Sequence, residues 1–279
     1  MPTIEELKDN LLPFTRQGIA LAFSGGVDSA LLLDVLREMR DEKPFPLIAL
    51  TMVSRFQPSG EVQKACEQAR AAGVESCVEF FEPLQIPALL ENPPDRCYLC
   101  KKLFFRAFCE RAQKRGIGVV MDGTNADDLK LYRPGLAAMK ELGVRSPLAE
   151  MGFTKAEIRK AAAERKLSVA QKPSSPCLAT RFEYGFPLTE QWIKTVDAGE
   201  LLIRACLPET KDVRLRVHAN GLARIEVPED CFEALLAARP ILVTGLKNLG
   251  FRYISFDLEG FRIGSMDCNQ KQELQEIVP

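Results

Sequence analysis

A short glycine-containing segment joins an apolar, strand-like run (residues 19–23) to a helix-like run (27–40). Its residues are Ser24, Gly25, Gly26, Val27, Asp28 and Ser29. Two glycines let the backbone turn tightly, and the N–H groups that begin a helix attract an anion. An ordinary strand-to-helix turn also uses Gly, Ser and Asp, but the whole segment after an apolar strand favours a phosphate-binding loop. The loop fits neither G-x-x-x-x-G-K-[ST] nor G-x-G-x-x-G, which argues against P-loop NTPases and dinucleotide oxidoreductases.

Strand-like and helix-like runs alternate along the first half of the chain. Strands are predicted at 19–23, 47–53, 77–81 and 119–121, and helices at 27–40, 61–72 and 154–166. This order predicts an α/β fold with a parallel sheet, whose ligand binds at the carboxyl ends of the strands. Thr154 and Glu157 have the spacing of a capping box at the start of the third helix.

The pattern changes in the last third of the chain. Helices are predicted at 189–206 and 230–238, and strands at 213–217, 223–227 and 253–257, which is typical of a smaller α+β unit. We therefore predict one domain over 1–187 and a second over 188–279, with a linker rich in Pro and Ser at 171–187.

Composition narrows the classes of function. The chain has nine cysteines, a single histidine (His218) and a net charge of −1. An odd number of cysteines without a signal peptide fits a reducing compartment, so we expect a cytoplasmic protein. The sequence has no apolar stretch of membrane-spanning length, and its charge gives no electrostatic reason to expect a nucleic-acid partner. A site that needs two histidines is excluded.

Cys97 and Cys100 form a C-x-x-C motif at the predicted start of a helix that runs to Lys114, with Asp95 as a candidate N-cap. Helix N–H groups and the nearby Arg96, Lys101 and Lys102 favour the thiolate form of such cysteines. The motif alone is compatible with zinc, a redox dithiol, an iron–sulfur cluster or chance. Zinc requires further ligands, and the sequence has no second C-x-x-C.

Cys177 lies in a second polar segment, KPSSPCLATR (172–181). Ser175 is a candidate N-cap for a short helix with Pro176 at its first position. That helix would place the thiol beside backbone N–H groups and Arg181. Taken alone, the pattern favours a buried structural cysteine, because cysteine is among the most buried residue types.

Taken together, the motifs resemble a known family. The loop SGGVDS (24–29) is similar to that of the PP-loop ATP pyrophosphatases, which cleave ATP between its α- and β-phosphates. The ordered set of SGGVDS, RCYLCKK (96–102), GTNADD (123–128), KPSSPCLATR, VRLRVH (213–218), ARIE (223–226) and DLEGFR (257–262) resembles the LarE family over nearly the whole chain. LarE proteins are ATP-dependent sulfur transferases that help to make a nickel-pincer cofactor. The resemblance implies adenylylation of a carboxylate of pyridinium-3,5-biscarboxylic acid mononucleotide, followed by sulfur delivery from the position of Cys177.

The resemblance also bears on the cysteines. Sacrificial members keep only the cysteine that matches Cys177 and convert it to dehydroalanine. Members with a pattern like Cys97, Cys100 and Cys177 resemble enzymes with a three-cysteine [4Fe-4S] cluster, whose open iron can bind hydrosulfide from a sulfide donor. We favour the cluster form, because the C-x-x-C is present here.

The same resemblance assigns the substrate residues. Arg214 and Arg216 alternate with apolar residues on a predicted strand, a pattern that suits either a solvated face or an anion site, and the resemblance favours the substrate phosphate. Arg181, near Cys177, is a candidate for stabilising the acyl-adenylate or a carboxylate, and Glu200 for positioning a polar part of the substrate, although one acid on an amphipathic helix is usually solvent-exposed. Asp28 is a candidate Mg²⁺ ligand, because that cation prefers carboxylate and phosphate oxygens, and it is also a candidate cap of the helix N-terminus. Strand-end positions place Thr51, Met52, Gly123 and Thr124 around adenine or ribose. A homo-oligomer, with a hexamer as one form, is expected.

Two other functions remain open. Some tRNA thiolases of the PP-loop class also hold a three-cysteine cluster, but they need a basic RNA-binding surface. An amide-forming ligase that uses ammonia would leave the cysteines with structural functions.

Overall fold

The computed structural model describes residues 2–130, 133–210 and 212–266. Among these residues, one compact unit is formed by 2–83 and 94–172, and the other by 84–93 and 173–266. The domain division at residue 187 stays a prediction. The helices are α1 Ile4–Thr15, α2 Val27–Glu42, α3 Glu61–Ala71, α4 Pro87–Leu90, α5 Arg96–Lys114, α6 Gly135–Glu141, α7 Pro147–Glu150, α8 Lys155–Glu164, α9 Glu190–Cys206, α10 Phe232–Ala237 and α11 Arg239–Asn248. The strands are β1 Ile19–Ala22, β2 Leu47–Val53, β3 Glu75–Phe80, β4 Val119–Met121, β5 Arg214–His218, β6 Leu222–Glu226 and β7 Tyr253–Phe256.

The first unit is built on a four-stranded parallel sheet in the order β3-β2-β1-β4. The predicted α/β fold is thus confirmed. The chain adds β2 and β3 on one side of β1 and then returns to place β4 on the other side. Such a change of direction opens a crevice at the carboxyl ends of β1 and β4, where α/β proteins bind ligands.

Alternate residues of the strands face two hydrophobic layers. Leu21 and Ala49 pack with the apolar faces of α1, α2 and α8. Ala20 and Ile48 pack on the opposite side with Phe105 and its neighbours from α5 and α6. The sheet is therefore covered by helices on both faces, which explains why its strands read as nearly continuous apolar runs.

Capping residues define the beginnings of two helices of this unit. Thr154 accepts a hydrogen bond from the backbone N–H of Glu157, whose side chain returns the contact, which confirms the predicted capping box. Thr3 and Glu6 form the same motif at the start of α1, a helix that the sequence reasoning missed. Asp95 occupies the N-cap position of α5 as predicted, but its side chain makes no capping hydrogen bond.

The second unit has a three-stranded sheet in the order β5-β6-β7, with β5 and β6 antiparallel and β6 and β7 parallel. Helices α9 and α11 pack together on it. The helix predicted over 230–238 is shorter, because α10 ends at Ala237 and α11 begins at Arg239. Residues 84–93 belong to this unit: Leu188 N donates to Leu90 O at 2.7 Å, and the buried Asn92 donates to Phe182 O at 3.2 Å.

Within the described ranges, no helix has the length and apolar character needed to span a membrane.

Candidate functional site

The glycine-containing loop connects β1 to α2, as predicted. Gly25 has a φ of +67°, and a Cβ at this position would lie 3.1 Å from Cα of Ala65 in α3, so the site requires glycine. Ser24 Oγ lies 3.2 Å from Ser29 Oγ, which donates to Gly26 O at 3.1 Å. These bonds close the turn, whereas the first N–H groups of α2 have no acceptor within the helix. The turn therefore offers backbone donors and the positive end of the α2 dipole to an anion.

Gly123 approaches this loop from the carboxyl end of β4. A Cβ on Gly123 would lie only 2.8 Å from Ser29 N, so a larger residue would displace the first turn of α2. Thr124 follows, and its Oγ1 donates to Asp122 Oδ2 at 2.5 Å. Asp122 also accepts from Ser146 Oγ at 2.6 Å. Gly123 and Thr124 thus lie at the predicted edge of the sheet, and their contact with a nucleotide stays a prediction.

Thr51 and Met52 lie near the carboxyl end of β2. Thr51 is buried, and its Oγ1 donates to Phe23 O at 3.0 Å. Met52 O accepts from Gln57 Nε2 at 2.8 Å. The hydroxyl proton of Thr51 therefore links β2 to the residue that follows β1. A contact of Thr51 or Met52 with a nucleotide stays a prediction.

Two lysines from distant parts of the sequence lie against the loop, although the sequence reasoning gave them no function. Lys155, the first residue of α8, forms an ion pair with Asp28, whose other oxygen accepts from Asn125 Nδ2 at 3.2 Å. Lys172 Nζ donates to Gly25 O at 3.0 Å and lies 2.9 Å from Glu61 Oε2. Lys172 is the first residue of the segment KPSSPCLATR, which contains Cys177. Its place in that segment was the only sequence signal for a function of this lysine. Asp28, predicted to bind Mg²⁺, already has an ammonium partner.

Cys97 and Cys100 lie in the first turns of α5 and are partly buried. Their spacing of three residues puts both side chains on the same face of the helix. Arg96 Nη2 lies 3.8 Å from Cys97 Sγ. Lys102 instead bonds Tyr98 Oη at 2.7 Å and Glu141 Oε2 at 2.8 Å. Lys101 packs against Gly135, where a Cβ would lie 2.5 Å from its Cδ, and burial lowers the pKa of its ammonium.

Two thiols on one face of a helix are suitable ligands for iron. Cys177, the third predicted ligand, belongs to the second unit. Among the described residues, no group of three or more His, Cys, Asp or Glu side chains is arranged to hold a metal ion. The iron–sulfur cluster and Mg²⁺ therefore stay predictions.

In the second unit, Cys177 precedes a short 3₁₀ turn, Leu178–Arg181. The helix predicted to start at Pro176 is thus wrong: the turn begins two residues later, and Ser175 caps nothing there. Arg181 is 1% exposed and donates from Nη1 to Pro176 O at 3.0 Å and to Cys177 O at 3.2 Å. The guanidinium therefore fixes the backbone on both sides of the cysteine.

Glu200 is the carboxylate partner of Arg181. The two side chains form a bidentate pair, with Nε–Oε1 at 2.7 Å and Nη2–Oε2 at 3.1 Å. Glu200 is fully buried and also accepts from Leu215 N at 3.1 Å and Arg204 Nη2 at 2.9 Å. Burial alone would raise the pKa of Glu200, but Arg181, Arg204 and Arg214 outweigh it and hold the pKa below its usual value. These contacts hold β5, α9 and the Cys177 segment together.

Arg214 and Arg216 are buried on β5, so the solvated strand face considered from the sequence is wrong. Arg216 is neutralised by Glu226, with Nε–Oε2 at 2.9 Å. Among the described residues Arg214 has only a longer ion pair, with Asp212 Oδ1 at 3.8 Å, and its Nη1 and Nη2 donate to the carbonyls of Val213 and Ser174. Burial, together with the charge of Arg181, lowers the pKa of Arg214 to about 10. An anion beside Arg214 would offset this cost.

The chain is similar in sequence to two bacterial proteins over about nine-tenths of its length. No family model matches it. It is 36% identical over 253 residues to the pyridinium-3,5-bisthiocarboxylic acid mononucleotide synthase of Lactiplantibacillus plantarum. The matched region covers 90% of this chain and 89% of that protein. An uncharacterized protein of Synechocystis sp. is 35% identical, covering 88% and 91%. A more distant match, the argininosuccinate synthase of Haloarcula marismortui, is 30% identical over 68% of this chain and 45% of that enzyme. With the α/β fold and its loop after β1, these likenesses mean that the chain belongs to the family of the pyridinium-3,5-bisthiocarboxylic acid mononucleotide synthases.

Proposed function

We propose that the protein is an ATP-dependent sulfur transferase that acts on a carboxylate of pyridinium-3,5-biscarboxylic acid mononucleotide. The observation that carries the proposal is the similarity to the synthase of L. plantarum over 90% of the chain. The loop after β1 supports the use of ATP, because its turn and the start of α2 form a suitable anion site.

The first step is activation of the carboxylate. A carboxylate oxygen of the substrate attacks the α-phosphorus of ATP, and pyrophosphate leaves. In our proposal the loop from Ser24 to Ser29 binds the phosphates, Asp28 supplies an oxygen ligand to Mg²⁺, and Thr51, Met52, Gly123 and Thr124 border the adenosine. Mg²⁺, when bound, neutralises phosphate charge. The product is an acyl-adenylate with AMP as its leaving group.

The second unit would bind the substrate anion and supply sulfur. Arg214 is the stronger candidate for the phosphate, since its ion pair with Asp212 is long, at 3.8 Å, whereas Arg216 bonds Glu226 at 2.9 Å. Arg181 and Glu200 support the cysteine segment rather than contacting substrate directly, because both are buried in contacts within the protein. Hydrosulfide from an external donor, held beside Cys177, would then attack the acyl carbon, and AMP would leave with the former carboxylate oxygen.

The source of sulfur is the finer part of the proposal. We infer a [4Fe-4S] cluster held by Cys97, Cys100 and Cys177, with an external sulfide donor. The C-x-x-C at the start of α5 supports this form over a sacrificial one, in which the bond between Cβ and Sγ of Cys177 would break and leave dehydroalanine. Homo-oligomer formation is part of the same inference.

Product analysis tests the sulfur transfer. The protein is incubated under anaerobic conditions with the dicarboxylate mononucleotide, MgATP and sulfide, and products are followed by mass spectrometry. We expect AMP, pyrophosphate and a substrate in which sulfur replaces oxygen. Cys177→Ala should still release pyrophosphate as it adenylylates bound substrate but should lose the thiolated product. Cys206→Ala, at the end of α9, is the matched control and should retain it. Unimpaired thiolation by Cys177→Ala would contradict the proposal.

Metal analysis tests the cluster separately. Anaerobically purified protein should contain about four irons and about four sulfides per chain, and Cys97→Ala or Cys100→Ala should lose both. Cys66→Ala, in α3, should retain them. An active iron-free protein whose Cys177 becomes dehydroalanine would establish the sacrificial route instead.

A further inference from the structure

The guanidinium of Arg214 is bonded to the backbone of two segments of the second unit. Nη1 donates to Val213 O at 2.8 Å, and Nη2 donates to Ser174 O at 3.0 Å. A guanidinium carries five N–H donors in a rigid fork. Among the described residues, these two hydrogen bonds use two of the five. The donors that remain are the ones that an anion can bind.

The direction of this guanidinium decides whether those donors meet a ligand. Arg214 is only 4% exposed, so a small rotation would turn the remaining N–H groups into the protein. Two hydrogen bonds at the edge of the group fix its position but still allow it to tilt about the line that joins them. A further contact is needed to limit that tilt.

Phe261 supplies such a contact. Cζ of Arg214 lies over the ring of Phe261, 4.9 Å from its centre, which is within the range of a cation–π interaction. Other aromatic rings of this unit pack on one another, as Phe182 does with Phe186. Phe261 instead faces a cation, and the planar guanidinium of arginine is well suited to an aromatic partner.

The backbone that carries Phe261 is itself fixed, by a turn that follows β7. Gly260 has a φ of +69°, and its N–H donates to Asp257 O at 3.1 Å. Phe261 N donates to Val227 O, after β6, at 2.9 Å. The carboxylate of Asp257 pairs with Arg224 of β6. The ring is therefore placed against Arg214 before any ligand binds, which lowers the entropy cost of ordering the site.

Arg216, two residues along β5, shows the alternative way to hold an arginine. It bonds Glu226 at 2.9 Å and Thr180 O at 3.0 Å, so a carboxylate orients it and also neutralises its charge. A carboxylate at that distance competes with an anionic ligand. An aromatic ring orients a guanidinium and leaves its net charge in place. Arg214 thus has the support that an anion site requires.

We propose that Phe261 is a positioning residue for the substrate phosphate, because its ring holds the guanidinium of Arg214 with the remaining donors directed at the ligand. This inference rests on the proposed function, in which Arg214 binds that phosphate. Phe261 acts through Arg214 and does not itself contact the phosphate.

Isothermal titration calorimetry with two ligands tests the inference. The first is pyridinium-3,5-biscarboxylic acid mononucleotide, and the second is the same nucleoside without its phosphate. Phe261→Leu keeps an apolar side chain but removes the ring, so it should bind the mononucleotide about 3- to 30-fold more weakly and the nucleoside within about twofold of the wild type. Phe261→Tyr should retain the wild-type affinity for both.

A matched control comes from the first unit. Phe14 of α1 lies under the guanidinium of Arg145, 4.6 Å from the ring centre, in a contact of the same kind. Phe14→Leu should leave the affinity for both ligands unchanged. In an Arg214→Met background, Phe261→Leu should cause no further loss, since the ring then has no guanidinium to orient.

Fluorinated rings separate orientation of the guanidinium from support of the fold. Mono- and trifluorinated phenylalanine at position 261 keep the shape of the ring while they weaken the negative charge of its face. The affinity for the mononucleotide should fall stepwise with fluorination, at a constant midpoint of urea denaturation. This series decides the question even if Phe261→Leu does not fold.

Three results would overturn the inference. They are an affinity that does not change with the ring, an equal loss for the mononucleotide and the nucleoside, and a wild type that binds the two ligands equally. A ring-dependent affinity for the mononucleotide without any thiolated product would overturn the proposed function and leave the inference standing.

Discussion

At the scale of single residues, burial decides what the charged groups of the second unit can do. The sequence reasoning assigned Glu200 a substrate contact and Arg181 a place beside the activated carboxylate. Both side chains are nearly or fully inaccessible and paired to each other. A buried carboxylate with three arginines nearby is more suited to holding backbone in place than to exchanging partners with a ligand. Their effect on the reaction is therefore expected through the position of Cys177.

Replacing Glu200 with Gln should be strongly destabilising, since it leaves Arg181 buried without a counter-charge. We expect a loss of about 3–5 kcal/mol in the free energy of unfolding, measured by urea denaturation. The exposed pair Lys194–Glu190 lies on the same helix, and Lys194→Gln should cost at most about 1 kcal/mol.

A kinetic measurement distinguishes positioning from loss of fold. At a temperature where Arg181→Lys remains folded, kcat for thiolation should fall while KM for ATP stays within about twofold of the wild type, because the loop proposed to bind ATP (residues 24–29) lies in the first unit. An equal change in both constants would contradict a positioning function for Arg181.

At the scale of elements, ion pairs join the helices on one face of the parallel sheet. Lys8 of α1 lies 2.7 Å from Glu38 of α2, and Arg165, which follows α8, bonds Glu38 and Asp34. Hydrogen bonds from Lys8 and Arg165 lower the pKa of Glu38 from 4.5 to about 2. Three helices that are distant in sequence thus share one carboxylate.

This contact predicts a specific loss of stability in acid. Above pH 4.5 Glu38 is charged in both the folded and the unfolded chain, so its stabilisation is complete. Between pH 4.5 and about 2 the unfolded chain takes up the proton first, and the stabilisation declines. Glu38→Gln should therefore reduce the free energy of unfolding at pH 7 by about 1–2 kcal/mol, after allowance for solvent screening, and by almost nothing near pH 2.

Urea titrations at a series of pH values measure that difference. Glu42→Gln, on the same helix but exposed, provides the control and should show little effect at any pH. An unchanged difference between wild type and Glu38→Gln from pH 7 to pH 2 would contradict the assignment.

At the scale of the whole molecule, the proposed chemistry is divided between two units. The first contains the loop of residues 24–29, Lys155 and Lys172 beside it, and Cys97 with Cys100. The second contains Cys177 and the buried arginines of β5. The family resemblance extends across both, with about nine-tenths of the chain matched to the synthase of L. plantarum. A fragment that retains one unit should therefore lack part of the reaction.

The sequence by itself determined the α/β class, the positions of β1 to β4, the loop after β1 and the capping box of α8. These features depend on local patterns: apolar periodicity, glycine in a turn, and side chains that cap nearby N–H groups. Only the tertiary structure decided that Gly123 packs on Ser29, that Lys155 and Lys172 reach the loop, and that Glu200 pairs with Arg181. Each of these contacts joins residues far apart in the chain, and no local periodicity encodes which charged side chain the fold will bury and which partner it will meet.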